Sequence, residues 1–420
     1  MIAIYATSDC YGGAEVLIIR LSYYLRHNNI RFLLITKKTS VIAHKLSWAP
    51  QIEQHEIPKY KDSITHLFLP NIVGFKFDIG LNGFDNPIVL SWIIHPSELY
   101  SSYFPCTERL LEILGCRSSW WIKKIFYRHN SNLVKMLKIM IDSGGLLAMD
   151  GATSRGLRYF YPELNYSAVA IVPIPSVIES VSANSNINEA ALAIGYLGRM
   201  DAFKLSAAKS FIQENLSGIT KSKKVEFHFI GGGDCVNRLA SVCRRAGVEF
   251  INHGYQYGAD AKLILKIKTN LVVAMGTAAL DLAGAEHPCI LIDPAFKTWA
   301  KPQKLFRFVH EIEDYTLGEF RDGKGYKAGI HTFEEVLCIV ADNPFIGKLG
   351  VDYVKKSHDQ DIVFKRLLHY LMNSKCELSD VIPLSKKIVI AYEQINRRLR
   401  VAFKPIIFLL EITGKFLNNK

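Results

Sequence analysis

Arg199 and Lys204 stand five positions apart in Gly198-Arg199-Met200-Asp201-Ala202-Phe203-Lys204, a run that directly follows an apolar stretch at 193–197. At a strand-to-helix junction, that spacing lets a planar guanidinium fork and an ammonium point charge converge on one diphosphate. The plainer alternative is a pair of exposed basic residues on a loop; the strand context favours the functional reading. Three glycine-bearing turns share this placement. Tyr11-Gly12-Gly13-Ala14-Glu15 ends the first apolar run. Adjacent glycines there allow a tight turn, and the following helix offers free N–H groups and a positive dipole end to phosphate. Gly231-Gly232-Gly233 ends the run 225–230, at what would be the carboxyl edge of a sheet. Asn237 and Arg238 follow, so the Gly-x-Gly-x-x-Gly spacing is not met, which disfavours a nicotinamide or flavin enzyme. Met275-Gly276-Thr277 ends the run 271–274, and Thr277 suits a helix cap. One turn further, Asp281 is placed to accept ribose or sugar hydroxyls, or simply to suit a positive helix end. His95 closes Ser91-Trp92-Ile93-Ile94-His95-Pro96. An imidazole at a strand end can donate to a phosphate or sugar oxygen; otherwise a lone histidine is structural.

These groups need a scaffold of strands ending in turns, and the chain supplies it twice. Residues 1–6 are apolar and β-branched, a helical pattern follows Gly12-Gly13, and 32–35 are apolar again. That order predicts a strand-helix-strand unit of a buried parallel sheet, whose strands read as continuous apolar runs. Further strands are expected at 88–94, 145–149 and 168–172, with helices at 109–114 and 120–141. The segment 176–189 is polar and turn-rich and predicts a linker. The alternation then restarts: strands at 193–197, 225–230, 249–251, 271–274 and 289–292, with helices at 204–216, 237–246, 262–266 and 278–284 between them. Two successive α/β blocks result, each a parallel sheet with helices on both faces. From about Thr332 the chain reads as helices. The basic, amphipathic stretch 386–410 carries Arg397, Arg398 and Arg400 beside Phe403, Ile406 and Phe408. A helix packing back on the first domain is its first reading, and contact with an anionic membrane its alternative.

Length and composition agree. A chain of 420 residues predicts two or three domains. With 49% hydrophobic and 21% charged residues the chain is ordinarily globular. The net charge of +12 draws polyanions, phosphorylated small molecules or an anionic membrane face. No helix-turn-helix, zinc-finger or ribonucleoprotein signature points to nucleic acid. Eight scattered cysteines without a Cys-x-x-Cys pair read as reduced thiols rather than disulfides or a zinc site. No secretory signal and no apolar run of ~18–20 residues is present, so a cytoplasmic protein is expected, with peripheral attachment to the inner membrane face as its variant.

In this order and placement the motifs resemble the GT-B fold glycosyltransferases, in particular the retaining glycosyltransferase family four. Gly12-Gly13-Ala14-Glu15 matches that family's Gly-Gly-x-Glu, and Gly198-Arg199 with Lys204 matches its Gly-Arg-x-x-x-x-Lys. Gly231-Gly232-Gly233 resembles its Gly-x-Gly loop, and Ala285-Glu286-His287-Pro288 the last four positions of its Ala-x-Gly-x-Pro. The likeness covers roughly 1–35 and 190–295. It implies two Rossmann-like doubly wound domains facing a cleft, with C-terminal helices crossing back. The expected bounds are 1–176 for an acceptor-side domain, 177–189 for the linker, 190–360 for a nucleotide-sugar domain and 361–420 for the terminal helices. The departures are specific. The family's Glu-x7-Glu pair falls on Val273 and Asp281, and its glycine before the proline falls on Glu286.

The resemblance implies transfer of a sugar from a nucleoside diphosphate sugar to a hydroxyl of a glycan or lipid-linked acceptor, in the assembly of lipopolysaccharide, capsule or exopolysaccharide. Arg199, Lys204, His95 and Glu15 are the expected catalytic group. Gly12, Gly13, Gly198, Gly231, Gly232, Gly276, Thr277 and Asp281 are the expected donor-binding group. No metal is expected to be obligatory, and no cofactor beyond the donor. A non-catalytic glycan- or partner-binding protein and a nucleotide-sugar epimerase are the alternatives.

Overall fold

The computed structural model describes residues 1–6, 13–70, 83–94, 127–178, 191–256, 258–295, 301–321 and 326–390. The expected helix at 109–114, most of the basic stretch 386–410, Gly12 and His95 lie outside the described residues.

The first block alternates strands and helices: β1 (Ile2–Tyr5), α1 (Gly13–His27), β2 (Phe32–Ile35), α2 (Val41–Lys45), β3 (Gln51–Ile52), β4 (His66–Leu69), β5 (Ile88–Ile93), α3 (Tyr127–Asp142), β6 (Leu146–Ala148), α4 (Gly151–Phe160) and β7 (Ala170–Ile171). Its strands are all parallel in the order β3-β2-β1-β4-β5-β6-β7. The second block holds β8 (Ala191–Leu197), α5 (Ala202–Phe211), β9 (Lys224–Ile230), α6 (Val236–Arg245), β10 (Glu249–Asn252), α7 (Gly258–Lys268), β11 (Leu271–Ala274), α8 (Thr277–Ala283) and β12 (Cys289–Leu291). They form a parallel sheet in the order β10-β9-β8-β11-β12. In both sheets the chain runs outward on one side of the first strand and then restarts on the other. That reversal is the topological switch of doubly wound folds, where ligands bind beyond the strand carboxyl ends.

The central strands are buried on both faces, which is why they read as unbroken apolar runs. One apolar cluster covers the outer face of the first sheet, with Leu67, Val89, Met136 and Leu157. Another covers the second, with Phe227, Phe229, Phe211 and Phe306. A third runs through both blocks, joining Ile4, Leu17 and Leu21 to Ala274, Leu280, Leu291 and Leu317.

After β12 come α9 (Phe333–Asp342), α10 (Ile346–Ser357) and α11 (Gln360–Asn373), and 378–390 are helical as well. The chain passes between the blocks twice, and the two passes lie side by side. Ser176 pairs with Asp359, the Ser176 N–H donates to the His358 carbonyl (2.7 Å), and His358 Nδ1 lies 2.7 Å from the Ile174 carbonyl. Burial pushes His358 down to about 4, so it stays neutral at this crossing. The C-terminal segment then returns to the first sheet. Val89 N–H donates to the Cys376 carbonyl, and Tyr24 of α1 packs on Phe364 of α11. The helices therefore cross back, as expected.

Candidate functional site

The loops after β8 and β9 form one unit at the carboxyl edge of the second sheet. Gly198 N–H donates to Ile230 O (2.9 Å), Met200 N–H to Gly232 O (2.7 Å) and Cys235 N–H to Met200 O (3.1 Å). The approach is so close that a Cβ on Gly231 would collide with the Gly198 carbonyl, and one on Gly233 with the Met200 backbone. Both glycines also have φ values, +141° and +121°, that L side chains rarely adopt. The three-glycine turn thus answers first to its neighbouring loop. At Gly232 the space is taken by the ring of Tyr255, a residue that is 63% exposed.

Asp201 caps α5 by accepting the Lys204 N–H (3.0 Å) and lies 3.5 Å from Arg199 Nη2. Arg199 is 58% exposed, so this pair adds little stability. Lys204 is different. Its ammonium folds back over Gly198, 3.7 Å from where a Cβ would stand. Burial draws it below the ordinary lysine value, Asp201 partly opposes this and Arg199 adds to it. Among the described residues it has no ion-pair partner. A cation held in that setting favours an incoming anion, and Arg199 stands beside it to share the charge.

Across from this edge lies the first block. Gly13 opens α1 so close to α8 that a Cβ on it would stand 3.6 Å from the Thr277 side chain. Glu15 is buried in the first turn of α1. Gly276 turns the chain into α8 at φ +62°, with its N–H donating to Leu317 O (2.7 Å). Asp281 points at the first block as well. Its Oδ1 accepts from Arg20 Nη2 (3.3 Å) and from Ser176 Oγ (3.2 Å), while Arg20 Nη1 donates to Pro175 O (2.9 Å). The carboxylate at 281 therefore joins α1, the interdomain crossing and α8. Val273 is fully buried inside β11, and only Met275 and Gly276 separate that strand from α8. Glu286 holds φ +65°, a conformation that favours glycine, and Lys266 Nζ donates to its carbonyl (2.8 Å).

A second contact between the blocks escaped the sequence reading. Arg155 of α4 makes a two-pronged pair with Glu319, Nε to Oε1 and Nη2 to Oε2 at 2.8 Å each, and also pairs with Asp314. Gly151 N–H donates to Asp314 O (2.8 Å) and Ala152 N–H to Thr316 Oγ1 (3.1 Å). Asp150, which caps α4 through the Thr153 N–H, is pushed up to about 7. Burial is the main cause, its bonds from Thr153 oppose it, and the Asp314 charge adds to it. Behind this contact, Asp293 is fully buried at the end of β12 and is held by the Glu319 N–H (2.9 Å), the Tyr326 hydroxyl (2.9 Å) and Arg307 (3.3 Å).

The site thus brings Arg199, Lys204, Gly198 and the Gly231–Gly233 turn to one edge, and Gly13, Thr277 and Gly276 to the junction of the blocks. No protein-family model matches the sequence, and no curated protein matches it. Solved structures do match. The lipopolysaccharide outer core galactosyltransferase WaaB is 12% identical, with 88% of this chain and 98% of that one covered at a TM-score of 0.53. A glycosyltransferase from Rickettsia africae is 10% identical, with 89% and 98% covered at 0.58. Anabaena Alr3699/HepE, solved with UDP-glucose, is 11% identical, with 88% and 99% covered at 0.56. The chain has the GT-B fold. In each case the match takes in at least 88% of this chain and nearly the whole of the other.

Proposed function

We propose that this chain is a glycosyltransferase that moves a sugar from a nucleoside diphosphate sugar to a hydroxyl of a surface-glycan precursor. The observation that carries the reading is Lys204: a half-buried ammonium, without an ion-pair partner among the described residues, beside Arg199 at the carboxyl edge of a doubly wound sheet. Breaking the sugar–phosphate bond places negative charge on the departing diphosphate. A preorganised cation in a poorly solvated setting stabilises that charge more strongly than water does. Lys204 and Arg199 take that role, with no obligatory metal. Gly13, Gly276 and Thr277 line the junction where donor and acceptor meet. The other assigned residues are Glu15, which orders the α1 turn, and His95, which meets the sugar or the diphosphate. Retention at the anomeric carbon belongs to the family-four resemblance. The acceptor is a lipopolysaccharide, capsule or exopolysaccharide intermediate, on a lipid carrier at an anionic membrane face. Similar structures support this class of reaction, one being a galactosyltransferase and another a complex with UDP-glucose.

A thermal-shift screen against nucleoside diphosphates and their sugars tests the proposal. A specific donor at 100 times its dissociation constant adds about 2.7 kcal/mol of stability. No shift with any of them, together with no donor hydrolysis, removes the enzyme reading. It would leave a non-catalytic GT-B binding protein, which the engagement of Asp281 with Arg20 and the burial of Val273 favour as the second reading.

A further inference from the structure

α8 is held by the first block at both ends. Arg20 grips Asp281 directly. The opening of α8 is reached through an intermediary, the loop 312–321. Leu317 of that loop accepts the Gly276 N–H, and Gly318, at φ +135°, packs its α-carbon toward Met275. The loop carries a cost of its own. Tyr315 sits at φ +63°, which a bulky side chain adopts only when its surroundings impose it. Its own block holds the loop through the Glu319 N–H on Asp293 and the Lys327 N–H on Glu319 Oε2, and the other block holds it as well. Arg155 takes Asp314 and Glu319, Gly151 N–H takes Asp314 O, and Ala152 N–H takes Thr316 Oγ1.

We propose that Arg155 is a positioning residue. From the first block it fixes the loop 314–319, and through Leu317 O it sets the Gly276-Thr277 turn on the donor side of the cleft. That turn then has its working shape only while the blocks are docked. Its meaning for donor handling rests on the glycosyltransferase reading, but the mechanical coupling does not. The guanidinium suits the task because its planar fork fills both oxygens of Glu319 while a third N–H reaches Asp314; a lysine ammonium cannot match that geometry.

Native-state hydrogen exchange on the full chain tests this without any ligand. In Arg155→Ala, peptides spanning 271–280 are expected to exchange about 10-fold faster, together with 312–321, while peptides over β8 and β9 keep wild-type rates. Wild-type protection at 271–280 overturns the proposal, and so does an equal acceleration at β8 and β9, which would make Arg155 a general stabiliser. Should the alanine variant fail to fold, Arg155→Lys keeps the charge, loses the fork and reads the same peptides, with the same two overturning results. A chain that bound no nucleoside diphosphate would leave this exchange result intact, so the two failures are distinguishable.

Discussion

Arg20 of α1 donates to Asp281 of α8 at 3.3 Å, so the helix that opens at Gly13 and the helix that opens at Gly276 are tied across the two blocks. Both side chains are mostly shielded, at 19% and 24% exposure. Removing one partner leaves the other charge in a poorly solvated place. Arg20→Ala and Asp281→Ala should each cost about 1–3 kcal/mol, and the double variant should cost less than their sum by about 1 kcal/mol. Urea unfolding of the four proteins measures this. Additive losses would mean that the pair is not coupled.

Lys204 and Arg199 should differ in a way that their exposure explains. Lys204→Ala is expected to weaken nucleoside diphosphate binding about 10- to 100-fold, and Arg199→Ala less, with the Arg199 share fading as salt rises. The pH dependence has a definite sign. Lys204 titrates below the ordinary lysine value because of burial, so affinity falls as pH rises through that lowered value and is full below it. In Lys204→Ala that alkaline fall should disappear. Calorimetric titration with the donor nucleotide found by screening measures both effects. An alkaline fall that persists in the variant assigns it to another group.

The strand pattern was readable because buried parallel strands must be apolar throughout. The apolar run 271–274 coincides with β11, and 225–230 begins one residue inside β9. Short or polar-edged elements were not: β3 is two residues long, and β4 begins with a histidine. α4 is hard to read because Gly151, Thr153, Ser154 and Gly156 are poor helix formers in its first turns, which rest on the cap of Asp150, on the other block and on the buried Leu157. Of the cleft, the glycine turns and basic pair could be seen as motifs. The ties could not, since Arg20 and Asp281 are 261 positions apart and Arg155 and Glu319 are 164 apart. One signal was present. Arg20 interrupts the apolar face of α1, between Leu17, Leu21 and Tyr24, where a charge needs a partner.

Gly231→Ala should be severe although the change adds only a methyl group. The Cβ would press on the Gly198 carbonyl at φ +141°, and neither loop can yield without breaking the bonds that join them. Combined strain and collision predict a loss of at least about 2 kcal/mol. The same change at Gly254, also at positive φ but with open space around its Cβ, should cost only about 1 kcal/mol. Denaturant midpoints for the two variants give the comparison. Equal losses would show that the contact with Gly198 contributes nothing.

Asp150 makes stability depend on pH in a window fixed by its two titration points. Unfolded, it titrates near 3.8; folded, burial raises it to about 7. Between these values the native state binds more protons than the unfolded one, so this group's contribution is full below pH 4 and is lost as pH rises toward 7. A displacement of roughly three pH units corresponds to at most about 4 kcal/mol. Asparagine keeps the cap on α4, because its side-chain oxygen still accepts the Thr153 N–H, and it has no charge to bury. Asp150→Asn should therefore match the wild type near pH 4 and exceed it by a few kcal/mol at pH 8. Melting both proteins across that range isolates the difference from every other titrating group. A constant offset between the two curves would mean that Asp150 is already ionised in the native state at low pH, with Arg155 close enough to hold its charge.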